Sequence, residues 1–364
     1  MDTKLSLAMG SKKPYIAAFF IQITFAGMSL MSKAAFATGM STYVFLFYRQ
    51  AAGTLVLVPL TMILKGKEKR PLSLKNLCQI FVISLIGITL ALDAYGVAIN
   101  YTSATLGAAA FNCVPVTTFF FAILLRMEKV EVKKAAGMAK VVGIMVCMVG
   151  AATLAFYKGP YFKPLFTHTP FHHAQTQPHH SSTSQKTWMI GCFFLLLTSI
   201  SWGIWFVLQA RFLKGFPFPM EFMCMQTVMS TVQSFVVAIV MERDPLEWKL
   251  GWNVRLFAVL YCGILIIGVA NNVQCWVIRE KGPVFQAMTT PLNLIATIIG
   301  SQLLLSEGIY LGSIIGAFLL VMSLYSVLWG KSKELVTTPT NQPSTPQKES
   351  EESTCRTEVK STLV

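Results

Sequence analysis

Three charged side chains stand where the sequence is otherwise apolar: Lys33, Arg49 and Asp93. An ionised group at membrane depth is costly unless it is paired, hydrated or able to reach the surface. Counted at the helical rise per residue, all three lie roughly 8 to 9 Å from the same end of their apolar segments, so they can form one cluster. Asp93 is too short to reach an interface, and pairing with Lys33 or Arg49 is its economical state. The chemistry this offers is a gate or a binding point for a substrate carboxylate. For the two cations the alternative is snorkelling into the headgroup layer. Lys140 and Glu221, each near a segment end, are expected to snorkel.

Amides and prolines form the second set. Gln286, Thr290, Asn293 and Thr297 recur at helical spacing and share one face. Asn271 and Gln274 are one turn apart, as are Asn272 and Trp276, and Asn112 lies three residues before Pro115. A proline inside an apolar helix removes a donor and frees a carbonyl, so Pro115 and Pro291 either leave carbonyls facing a central cavity or are packing kinks. The amides are either binding groups for a small polar solute or hydrogen-bond glue between helices. The candidate substrate site is therefore Asn112, Pro115, Asn271, Gln274, Gln286, Pro291 and Asn293, with Lys33, Arg49 and Asp93 as gate or charge cluster. No GxSxG, HExxH, P-loop or paired-aspartate motif occurs, so no catalytic residue, metal site or cofactor is expected, and an ATP-driven pump is disfavoured.

Helices across a bilayer must position these residues. Apolar stretches cover 14–38, 43–64, 76–98, 103–125, 135–156, 187–208, 219–241, 253–276, 283–305 and 309–329, each long enough to cross about 30 Å of hydrocarbon. Hydrophobic residues make up 54% of the 364 and charged ones only 13%, too apolar for a soluble domain of this size. The net charge of +14 does not indicate nucleic acid, because the Lys and Arg residues gather in loops beside the spans. With the N-terminus inside, eighteen basic residues fall on the inner side and six on the outer, which places both termini in the cytosol. The eight cysteines are scattered singly, without a disulfide framework or zinc spacing.

The expected organisation is a cytosolic N-terminus (1–13), a first five-helix repeat (14–156), an extracellular loop (157–186), a second repeat (187–329) and a disordered cytosolic tail (330–364). The loop holds His168, His172, His173, His179 and His180 and is either a metal or pH-sensing cluster or an ordinary hydrophilic loop. Thr338 and Thr345 precede prolines and are candidate kinase sites. The repeat itself shows in two segments, "SATLGAAAFNCVPVTTFFFAILLRMEKV" and "KGPVFQAMTTPLNLIATIIGSQLLLSEG", in which Pro115 and Pro291 stand 176 residues apart. Glu128 and Glu307 follow in equivalent loops. Five is odd, so the second half enters the membrane from the opposite side, the arrangement of alternating-access carriers. Ala135, Ala139 and Gly143 on span five and Gly312 and Gly316 on span ten mark faces for close helix contact.

The stretches "MSKAAFATGMSTYVFLFYRQAAGTLVLVPL", "RPLSLKN", "YTSATLGAAAFNCVPVTTFFFAILLRMEKV", "AFYKGP", "KGPVFQAMTTPLNLI" and "LYSVLWGKSKE" run in order through residues 12–334. Together they resemble the plant Walls-Are-Thin-related (nodulin-21-like) proteins, also called Usually Multiple Acids Move In and out Transporters, of the EamA branch of the drug/metabolite transporter superfamily. The resemblance implies an all-α, ten-helix inverted-repeat carrier of the plasma or vacuolar membrane that passes amino acids, and sometimes auxin, without a cofactor. The five-histidine loop and Asp93 are not part of that pattern. The expected partners are a small-molecule solute and the lipid bilayer, with kinases acting on the tail. Two rivals remain open. One is a carrier of auxin or another aromatic, purine-like or sugar-like solute, with Trp202, Trp205, Phe206 and Trp276 as stacking surfaces. The other is a non-transporting receptor or scaffold that signals through its tail.

Overall fold

A computed structural model of the chain describes residues 2–64, 73–102, 107, 110–128, 133–157, 159–162, 185–216, 218–305 and 309–337. Helices follow the apolar segments: α1 (Asp2–Ala37), α2 (Thr42–Leu64), α3 (Leu74–Ser84, a π-helical stretch Leu85–Leu90, then Ala91–Tyr101), α4 (Val114–Leu124) and α5 (Ala135–Phe156). The second half repeats them as α6 (Gln185–Gly215), α7 (Pro219–Met241), α8 (Val254–Leu260, a π-helical stretch Tyr261–Ala270, then Asn271–Lys281), α9 (Pro283–Met288 and Thr290–Leu305) and α10 (Leu311–Thr337). Among the described residues nine helices are long and apolar enough to cross a bilayer, and a shorter apolar helix, Ala110–Leu124, supplies the remaining pass. We call the side on which α1 begins the near face and the opposite side the far face.

Helix ends overrun the apolar windows. The first helix starts at Asp2 rather than 14, and α10 continues to Thr337, into residues expected to be tail. Backbone bonding extends a helix past the point where its side chains turn polar, which a hydropathy window does not register. The five histidines, Glu307, and the remainder of the tail with Thr338 and Thr345 lie outside the described residues.

Exposed Leu55, Ile63, Val142, Met145, Phe193 and Phe318 belong to an apolar outer surface suited to lipid tails. Inside, α5 and α10 pack most intimately. A Cβ on Gly316 would lie 2.6 Å from Leu154 Cγ, and one on Gly143 would lie 2.6 Å from Val327 Cγ2, so only glycine allows this approach. On the far face, β1 (Tyr161–Phe162) and β2 (Ile309–Tyr310) pair antiparallel beside the ends of these two helices.

The two halves pack as mirror images. Contacts of α3 with α6 are matched by α8 with α1, those of α4 with α6 by α9 with α1, and those of α3 with α7 by α8 with α2. The pairs α2–α7 and α5–α10 meet across the pseudo-two-fold axis. Backbone irregularities obey the same symmetry. The π-helical stretches begin at Leu85 and Tyr261, and the interruptions of the fourth and ninth segments fall at Cys113 and Thr289, in both cases 176 residues apart.

One ion pair departs from expectation. Lys140 does not snorkel: it is 1% exposed, and its Nζ lies 2.7 Å from Glu128 Oε1. The chain is delivered there by a helix stop. Arg126 takes a left-handed conformation (φ 55°), Met127 N–H bonds Ala122 O and Arg126 N–H bonds Ile123 O, turning Glu128 back beneath α5. Breaking a buried pair from one side leaves an uncompensated charge, at about 3 to 5 kcal/mol, whereas replacing both members by apolar groups is often neutral. Glu128→Gln should therefore lower unfolding stability in detergent micelles by that amount, and Glu128→Leu with Lys140→Met should recover most of it. A double variant as unstable as the single one overturns this account.

Candidate functional site

The two prolines act through the turns before them. Pro291 cannot donate to Ala287 O, and Thr290 Oγ1 donates to that carbonyl instead at 2.7 Å, while Thr289 Oγ1 donates to Gln286 O at 2.7 Å. At the mirror break, Ser199 Oγ of α6 donates to Ala110 O and Cys147 Sγ of α5 donates to Asn112 O at 3.4 Å. Thr117 Oγ1 bridges to Val114 O and Ser199 O. The carbonyls of Gln286, Ala287, Ala110, Asn112 and Val114 around the kinks are thus taken by hydroxyls and a thiol of the bundle rather than left facing a cavity. Asn272 makes a similar repair, with its Nδ2 donating to Gly268 O at 2.9 Å at the end of the α8 π-stretch.

The amides of the near half form a chain. Gln22 Nε2 on α1 donates to Thr289 Oγ1 at 2.8 Å, Thr289 binds Gln286 O, and Gln286 Nε2 reaches Gln274 Oε1 at 3.5 Å. Asn293 lies a turn beyond the break, with Oδ1 accepting from Thr297 Oγ1 at 3.1 Å. Asn112, Pro115, Gln274, Gln286, Pro291 and Asn293 are all buried, and Asn271 is half-buried. The helix break separates Gln286 from Thr290, Asn293 and Thr297, so the four do not lie on one unbroken helix.

Several buried amides escaped the sequence reading: Gln22, Gln50, Gln209, Gln226 and Gln233. A search for amides mid-span on every helix, rather than on those bearing prolines, would have found them. Thr89 Oγ1 and Gln233 Oε1 are bonded at 2.8 Å between α3 and α7. Others are less satisfied. Among the described residues Gln226 has no hydrogen-bond partner at either end of its amide, and Gln209 Oε1, Gln286 Oε1, Thr118 Oγ1 and Trp205 Nε1 have none either. Buried polar atoms are nearly always partnered, which makes these atoms candidates for meeting water or a polar solute.

The expected charge cluster does not form as one unit. Arg49 and Asp93 make no ion pair among the described residues. Asp93 is half-buried and interacts electrostatically with Tyr43, whereas Arg49, six residues further along α2, points another way and touches Met28 of α1. Depth along the helices was similar, but the direction around α2 was not. Lys33 is exposed. No group of three or more His, Cys, Asp or Glu suited to a metal is found among the described residues.

Side chains clamp the seam at the far face. On the far face, where α1 ends beside the start of α8, Arg255 Nε donates to Thr38 Oγ1 at 3.0 Å and its Nη2 donates to Thr38 O. The connection between α7 and α8 folds over this seam: Ser41 N–H donates to Glu247 Oε2 at 3.2 Å and Tyr48 Oη donates to Trp248 O at 2.7 Å. Beneath lies an apolar plug that includes Ala35, Met40, Val44, Phe45, Val259 and Cys262. On the near face the corresponding seam between α3 and α6 is a groove of about 620 Å³, lined among others by Lys75, Gln79, Ile83, Leu208, Arg211 and Phe216.

Comparison with known proteins agrees with this architecture. Residues 12–155 and 189–329 match the model of the EamA-like transporter family. The WAT1-related protein At5g64700 of Arabidopsis thaliana is 49% identical over 332 residues, covering 90% of this chain and 92% of that protein. The WAT1-related protein At1g43650 of the same plant is 42% identical, covering 90% and 93%. Protein WALLS ARE THIN 1, also of Arabidopsis thaliana, is 36% identical, covering 88% and 83%. A solved crystal structure at 13% identity superposes with a TM-score of 0.61 over 87% of this chain and 98% of that one, which shows a shared fold. A polytopic helical bundle with two mirror-related halves, matched by one family model in each half and by full-length plant relatives, belongs to the EamA-like transporter family, among its WAT1-related members.

Proposed function

We propose that this membrane transporter is a secondary carrier or facilitator of small organic metabolites, amino acids first among them, working by alternating access in the plasma membrane. The observation that carries the reading is the two-fold match between the packing of the two halves, with helix breaks and π-helical stretches recurring 176 residues apart. In an inverted repeat the two packings are close in energy, so a bundle clamped at the far face through Arg255 and Thr38 has a counterpart with the roles of the two faces exchanged. The excess of basic residues in the near-face loops makes that face cytosolic and puts both termini there. Gln274, Gln286 and Asn293, with Asn112 across the axis, offer donors and acceptors to the ammonium and carboxylate of a zwitterion. The bilayer and a small solute are then the only partners the cycle needs, with no bond-breaking step.

An aromatic solute such as auxin is the second reading, and it rests on a ring cluster. Trp202 packs edge-on against Phe111 at 4.9 Å between centroids and lies 6.0 Å from Tyr95, while Trp205 stacks on Phe206 at 5.3 Å. Such rings provide stacking faces beside the unpartnered Trp205 Nε1.

Uptake and efflux of labelled amino acids and indole-3-acetate in oocytes expressing the full chain separates these readings. A surface-expressed protein that moves no member of the panel overturns the carrier reading. Losing one charge-assisted bond in a dry site costs about 1.5 to 3 kcal/mol, or one to two decades in affinity. Gln286→Ala and Asn293→Ala should therefore raise KM about tenfold to a hundredfold, or abolish flux, at matched surface levels. Unchanged kinetics in both variants places the site away from α8 and α9.

Opening of the far seal is measured separately. Arg255→Ala removes both bonds to Thr38 and should speed labelling of buried Cys262 by a membrane-impermeant maleimide applied to intact cells, scored against a Cys262→Ala background. Equal labelling with and without Arg255 means the clamp does not hold the far face shut.

A further inference from the structure

Among the described residues Arg49 is a cation without an anion. It lies about 10 Å along α2 from the far-face end, beneath the apolar plug, and is 8% exposed. Its Nε is buried and makes no hydrogen bond. The polar contact of its guanidinium is Nη1 to the Met28 thioether at 3.7 Å, a weak acceptor. No carboxylate of the described residues pairs with it: Asp93 lies near Tyr43 instead, and Glu247 accepts from Ser41 N–H. Guanidinium keeps its charge at any working pH, so the group cannot escape the cost of burial by losing a proton. Snorkelling is closed to it as well, since a head in the interface would be exposed, and this residue is only 8% exposed.

Contrast with Lys140 makes the vacancy of charge meaningful, because the fold supplied that buried cation with Glu128 at 2.7 Å. An uncompensated charge at membrane depth is strongly destabilising unless something outside the chain neutralises it. A planar guanidinium fork fits a carboxylate, with two parallel N–H···O bonds. The position 176 residues on is Met225, so the second repeat has no equivalent charge.

We propose that Arg49 is the anion anchor of the transport site and that the solute carries a carboxylate, held by this guanidinium beneath the far-face plug. The inference rests on the carrier reading above and narrows its solute to a carboxylate. Because one repeat alone bears the cation, the bound solute is oriented with its carboxylate towards α2 and the far half. The rest of the molecule lies towards the amides of α8 and α9.

Binding, rather than flux, tests it. Purified full-length protein in detergent micelles is unfolded thermally against rising L-glutamine, indole-3-acetate or acetate, with chloride and the matching primary amides as controls. At least one carboxylate should raise Tm saturably where its amide and chloride do not. Arg49→Met should unfold above the unliganded native protein, having lost an unpaired charge, and should show no carboxylate shift. Arg49→Lys should keep the shift with roughly tenfold weaker half-saturation. The proposal is overturned by a native protein that no carboxylate stabilises, by the same shift in Arg49→Met, by equal stabilisation with chloride, or by an unliganded Arg49→Met less stable than the native chain. Arg49-dependent binding without any flux in oocytes would leave the anchor standing and remove the carrier reading.

Discussion

Hydrocarbon offers a backbone no hydrogen-bond partner, so every departure from a regular helix inside this bundle has to be repaired by the protein itself. That constraint organises the interior. The breaks at Cys113 and Thr289 and the π-stretches from Leu85 and Tyr261 occur in mirror pairs, and short side chains stand beside them as repairs. Thr289, Thr290, Ser199, Cys147 and Asn272 each donate to a main-chain carbonyl at or beside an irregular turn. Against that thorough accounting, the amide of Gln226 and the single atoms of Gln209, Gln286 and Trp205 stand out because they were not repaired. A protein that satisfies its own kinks yet leaves side chains wanting is equipped to bind.

The two buried cations show the same logic in opposite forms. Lys140 is neutralised within the chain, at the near-face foot of α5, and its place is structural. Arg49 is also buried, but among the described residues its guanidinium has a thioether and no carboxylate as partner, so the proposal has a visiting anion neutralise it. A permanently paired cation cannot also bind and release an anion once per cycle. Separating the two roles onto different helices lets one hold the fold while the other remains available.

Symmetry and its breaking fit together in the same way. Mirror-related packing makes two arrangements comparable in energy, while the Arg255 clamp and the folded α7–α8 connection favour one of them at the far face. The corresponding near-face seam between α3 and α6 carries a surface groove with Lys75 and Arg211 on its walls. The tight α5–α10 pair joins the two halves across the axis.

Ten apolar segments, the sense of the repeat and the pairing of Pro115 with Pro291 could be read from the residues alone, because hydropathy, chain parity and a fixed offset are properties of local sequence. So could the glycine faces of α5 and α10, since only small residues let helix backbones touch. Depth along a helix was legible too, from the rise per residue. Direction around the helix relative to its neighbours was not. Arg49 and Asp93 share a depth but point apart, Lys140 turns inward to Glu128 instead of outward to headgroups, and the carbonyls freed near the kinks meet hydroxyls from α6 and α9 and a thiol from α5. Which side chain meets which depends on how helices distant in sequence are rotated against one another, and packing across the whole bundle decides that rotation.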